Sequence, residues 1–99
     1  MQSSYPERFD REMGCTEADW LAWLPRAVGD HPRKLQAQSA DVLIGNGALS
    51  LKWQAAAPRV IGLISIPVLK VSFCFDRLDA RQRHVFMQRF DLYMQRGGG

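Results

Sequence analysis

Hydrophobic and polar positions alternate along this chain with two different periods, and the changes of period mark its elements. Between residues 17 and 28, Trp20, Leu21, Trp23, Leu24, Ala27 and Val28 fall in one arc when plotted at about 100° per residue, with Ala18, Asp19 and Arg26 opposite. That is an amphipathic helix. Thr16 supplies its N-cap, and Glu17 and Asp19 place carboxylates at the positive end of its dipole. Pro25 has no N–H to give Leu21 and should kink or divide the helix, which Gly29-Asp30-His31-Pro32 then ends.

From Leu35 to Phe75 the period falls to two, with β-branched residues and turn punctuation, and an antiparallel meander is expected. Asn46-Gly47 reads as a type I′ turn that sets Ile44 opposite Leu49, Val42 opposite Leu51 and Ala40 opposite Trp53. Asp41 and Lys52 would then pair on the other face. A third strand is expected over 59–66, after the Ala55-Ala56-Ala57-Pro58 connection, and a fourth over 69–75, after Pro67. The third is apolar on both faces, which suggests a central strand or a second contact surface.

Asp79 with Gln82 opens a last helix running to about Gln95, with Phe86, Met87, Phe90, Tyr93 and Met94 on its core face. Arg81, Arg89 and Arg96 lie opposite, with Val85 and Leu92 among them. The expected fold is therefore α+β: a three- to four-stranded antiparallel meander flanked by an N-terminal kinked helix and a C-terminal amphipathic helix, both on one sheet face. Residues 1–14 have no sustained apolar period and read as a mobile arm or a loose helical turn. Residues 15–96 read as one domain and 97–99 as a flexible glycine tail.

Composition narrows the class. A chain of 99 residues, 46% hydrophobic and 23% charged, can bury one core and is too apolar for intrinsic disorder. The first residues have no apolar run of signal-peptide type, and Val60–Leu69, interrupted by Pro67, falls short of the roughly 20 residues of a membrane span. Cys15 and Cys74 belong to no CxxC or Cys/His ligand spacing, which fits a reducing cytoplasm and gives no metal site. Charge is uneven: residues 1–41 carry seven acids and five bases, and residues 42–99 carry three acids and eight bases.

Catalytic chemistry has little to stand on. The histidines are His31, in a loop before a proline, and His84, expected on the solvent side of the last helix; neither has a visible orienting partner. The carboxylates form no evident acid/base pair, so no catalytic residue is assigned. Gly45-Asn46-Gly47 lacks the third glycine and the lysine of phosphate-binding loops. No cofactor motif is present. Cys15 is the reactive-thiol candidate, because a helix N-terminus lowers a thiol pKa. Trp20, Trp23 and Trp53 read first as core and second as the lining of a pocket.

The outer face of the last helix, with Arg81, Val85, Arg89, Leu92 and Arg96, has the composition of an interface. The leading expectation is a non-enzymatic protein-interaction or self-assembly module, with a protein partner or a second copy bound through this face or an exposed sheet edge. The alternative is a nucleic-acid or anionic-ligand binder using the same arginines with Arg59 and Lys70, although no nucleic-acid motif is present. A small thiol-dependent enzyme stands third.

Overall fold

A computed structural model describes residues 4–98. In chain order the elements are β1 (Arg8–Met13), α1 (Glu17–Val28), β2 (Arg33–Leu35), β3 (Ser39–Ile44), β4 (Gly47–Ile61), β5 (Ile64–Asp76) and α2 (Ala80–Gly98). The five strands form one antiparallel sheet in the order β1-β5-β4-β3-β2. The fold is α+β, with an N-terminal and a C-terminal helix on one face of an antiparallel sheet that has more strands than the pattern indicated.

The added edge strand comes from the segment read as a mobile arm. Phe9, Arg11 and Met13 of β1 point inward and Arg8, Asp10 and Glu12 outward, but the middle inward position is an arginine, which hides the period of two. Arg11 is kept inside by a bidentate pair with Asp91 of α2, at 2.5 and 3.0 Å, and by the rings of Tyr5, Phe9 and Phe73 around its guanidinium. Tyr5 donates to Asp91 at 2.6 Å, Arg83 donates to the Tyr5 carbonyl at 2.8 Å, and Phe75 N–H donates to the Glu7 carbonyl at 2.8 Å. These bonds hold the segment from Tyr5 onward against the domain.

Both helices begin with reciprocal caps. Asp19 N–H donates to Thr16 Oγ1 and Thr16 N–H to the Asp19 carboxylate; Gln82 N–H donates to the Asp79 carboxylate and Asp79 N–H to Gln82 Oε1. Pro25 does not divide α1, which continues to Val28. Leu21, whose carbonyl loses its partner at Pro25, is 37% exposed. The glycines do not end α2 at Gln95: it extends through Gly98, while Gly99 lies outside the described residues.

The β3–β4 hairpin keeps the expected faces in a different register. Ile44 pairs with Gly47, Val42 with Leu49 and Ala40 with Leu51, a slip of two residues from the I′ reading. Because side chains alternate, a slip of two leaves each on its own face. The turn residues are Gly45 and Asn46. Gly45 takes φ +55° and Asn46 a negative φ, the II′ pattern. Gly47 is needed for another reason: a Cβ there would overlap the carbonyl oxygens of Asp76 and Arg77. Gly47→Ala should therefore cost about 2 to 4 kcal/mol, in the upper range of single substitutions, and denaturant titration checks it. Asp41 accepts from Ser50 at 2.9 Å in place of the expected pairing with Lys52.

The core fills the space between the two helices and one sheet face. Trp20 and Leu24 of α1 meet Leu49, Leu51, Trp53, Leu69, Val71 and Phe73 of the central strands and Phe86, Met87, Phe90 and Met94 of α2. All three tryptophans belong to this packing. Trp20 lies 5.5 Å from the Trp53 ring, Trp23 is partly buried against the core, and Trp53 Nε1 donates to Glu17 at 2.9 Å.

Candidate interaction surface

The strands expected over 59–66 and 69–75 are not separate. Residues 59–66 form the end of one long hairpin: β4 runs without interruption to Ile61, the chain turns at Gly62-Leu63, and β5 returns from Ile64. Gly62 adopts φ +60° and Leu63 a negative φ, so the two-residue turn takes glycine at its first central position. Pro58 and Pro67, read as strand breaks, sit where the register shifts between Ala56 and Arg59. A bulge accommodates prolines because the ladder is already interrupted there.

This hairpin leaves the sheet. β1 pairs with β5 only as far as Leu69, and β3 pairs with β4 only as far as Lys52, so among the described residues those beyond about 55 and before about 68 pair with each other alone. A strand of 15 residues spans about 45 to 50 Å at 3.3 Å per residue, which matches the 47 Å long dimension of the molecule. Apolar on both faces here means exposed on both faces. Val60 is 69% exposed, Ile61 59%, Ile64 63% and Leu63 fully so. Arg59, the one charged residue between Gln54 and Lys70, is paired with Glu12 at 3.1 Å.

The α2 candidates are distributed differently. Val85 (57% exposed) and Leu92 (38%) face outward as expected. Arg89 is engaged within the fold: its Nε and Nη2 donate to the Arg26 carbonyl in the last turn of α1, and its guanidinium lies 4.5 Å from the Tyr93 ring centre. It acts as a C-terminal cap supplied by another helix. Arg89→Ala should cost about 1 kcal/mol by thermal melting, a loss that a purely solvated arginine would not give. Arg96 lies on α2, but its side chain is outside the described residues.

Arg81, Val85 and Arg89 border a cleft of about 350 Å³, completed by His31, Ile44, Gln82 and Phe86. Ile44, Val85 and Phe86 bring apolar groups to it, and His31, Arg81, Gln82 and Arg89 bring polar ones. It lies beside the turn from β3 to β4, at the opposite end of β4 from Gly62. The His31 ring packs 5.5 Å from that of Phe86. His84 is not on the solvent side: it is half-buried, with its ring 6.1 Å from Tyr5.

The sheet face away from the helices is polar. A groove of about 470 Å³ crosses it, lined by Asp10, Glu12, Lys52, Gln54, Lys70 and Ser72 among others. Asp10 and Glu12 stand on β1 against Lys70 on β5 and Lys52 on β4, so the groove carries no field of single sign and gives little support to an anion-binding reading through Lys70.

Cys15 is 3% exposed, and burial, with the Asp19 carboxylate adding to it, pushes its thiol pKa up. The expected lowering by the helix N-terminus is overridden, because desolvation disfavours thiolate. Cys74 is half-buried and free. Among the described residues there is no cluster of His, Cys, Asp and Glu able to hold a metal ion, and no helix long and apolar enough to cross a membrane.

The projecting arm is the feature that pattern reading missed. Its signal was available: Gly62 between branched apolar residues of high β propensity reads equally well as the first central residue of a Gly-X hairpin turn. Comparison of the chain with protein-family models, with curated proteins and with solved structures found no match in any of the three.

Proposed function

We propose that this protein is an interaction module that self-associates, with the β4–β5 arm as its contact element. The observation that carries this reading is the exposure of Val60, Ile61, Leu63 and Ile64 together at the end of a projecting hairpin. Scattered exposed apolar residues are ordinary, but a contiguous apolar tip is an interaction site by composition. The prolines at its base lack the N–H groups that a neighbouring strand would need, so contact is made by tip side chains and not by strand addition. The commitment of Arg89 to the fold weighs against the nucleic-acid alternative, and the burial of Cys15 against the thiol enzyme.

Burying four such side chains contributes about 2 kcal/mol each, offset by several kcal/mol of lost rigid-body freedom. At most about 4 kcal/mol is left, a Kd near 1 mM, so association is expected to become visible between about 100 μM and a few mM. Light scattering over that range should give a mass rising above the monomer for the wild-type chain and a constant monomer mass for Leu63→Asp. A wild-type chain that stays monomeric throughout would refute the reading.

A further inference from the structure

We infer that the receptor for the arm is the α2 cleft of a second copy, so that copies join head to tail. This rests on the self-association reading above and adds to it the identity of the receiving surface.

The two ends match in size and polarity. An apolar space of about 150 Å³ admits one benzene-sized group, so the 350 Å³ cleft has room for Leu63 together with Ile64. Ile44, Val85 and Phe86 supply apolar walls. Arg81, which also lines the cleft, has no hydrogen bond or ion pair within the described residues, which leaves its guanidinium available to the carbonyl oxygens of a hairpin turn. The tip exposes on the order of 500 Å² of apolar side chain, so a contact covering all of it buries roughly 1,000 Å² in total, near the lower limit for specific association, and one centred on Leu63 and Ile64 buries less, as a weak, concentration-dependent contact does.

The tip lies at the Ile61 end of β4 and the cleft beside its Gly47 end, separated by nearly the full 47 Å of the molecule. A chain cannot fill its own cleft. A contact between different patches at opposite ends is heterologous and leaves a free tip and a free cleft on every assembly.

The test uses two variants that each remove one half of the contact. Leu63→Asp keeps the cleft and loses the tip; Val85→Asp keeps the tip and places a charge in the cleft. Both positions are exposed, and circular dichroism and thermal melting confirm that the variants fold, with Val85→Arg replacing the aspartate if it unfolds. Each variant alone should run at the monomer mass by light scattering, while an equimolar mixture should form a complex of twice that mass and grow no further. If Val85→Asp associates like the wild type while Leu63→Asp does not, the arm engages another arm and the head-to-tail inference is overturned, with self-association intact. If both variants and their mixture stay monomeric, the tip does not enter the cleft and the inference is likewise overturned. If Leu63→Asp associates like the wild type, the arm is not the contact and both readings are refuted.

Discussion

Replacing Phe90 by alanine should lower the free energy of unfolding by about 3 to 5 kcal/mol, the range for removing a buried ring that its surroundings cannot fill. Phe90 is fully buried, and its ring meets Trp20 at 5.9 Å, Phe73 at 5.5 Å and Phe86 at 5.9 Å. It is therefore the point where α1, the sheet and α2 touch through one side chain. Two of these contacts are edge-on and would be lost along with the buried area. The cost falls on a domain whose total stability is expected to be about 5 to 15 kcal/mol, so the variant should show a greatly reduced urea midpoint. A variant with unchanged midpoint would mean that α2 does not present this face to the sheet.

Asp91→Asn should cost about 2 to 4 kcal/mol, because it removes the charge that compensates Arg11 in a largely desolvated place. The side chains of Arg11 and Asp91 are 21% and 14% exposed. Removing both charges together should cost less than the sum, since breaking one partner alone leaves the other uncompensated. An Arg11→Met/Asp91→Leu double variant measured beside the singles tests that coupling. The same cluster makes stability fall at alkaline pH. Burial, reinforced by the hydrogen bond to Asp91, raises the Tyr5 pKa from 10.0 to about 12. The fold thus favours the protonated phenol: the stabilisation is fully present below pH 10 and is lost as pH rises from 10 towards 12. The loss should be about 2 kcal/mol, and Tyr5→Phe, which has no phenol to ionise, should remove that part of the pH dependence in urea titrations at pH 9 to 12.

What the pattern made legible follows from where simple burial decides. The faces of α1 and α2 could be read because their apolar stripes cover a continuous core, and the two hairpin strands kept their faces despite a slip of two residues. Three places followed other rules. β1 was hidden by Arg11, an inward arginine made acceptable only by Asp91, 80 residues away in sequence. The β4–β5 arm reads as separate strands in the sequence because Pro58 and Pro67 look like breaks, whereas a bulge accommodates them and lets two long strands pass. Residues 59–66 looked doubly buried because apolar content is the same on the page whether a strand is sandwiched or projects freely. For the candidate site, Val85 was legible from helical spacing, while the role of Arg89 as a cap on the end of α1 depends on how two helices cross. Cys15 was placed correctly at a helix start; its burial, which reverses the sign of the expected shift, depends on tertiary packing.

The apolar end of the arm is proposed as the contact in self-association. Amide hydrogen exchange compared between dilute and concentrated protein tests it most directly, since the tip amides from Val60 to Ser65 have no neighbouring strand outside their own hairpin. Exchange of a peptide covering the tip should slow as concentration rises from about 100 μM to a few mM, while the polar sheet face remains unchanged. A tip whose exchange is independent of concentration, in a chain whose mass rises, would contradict the account.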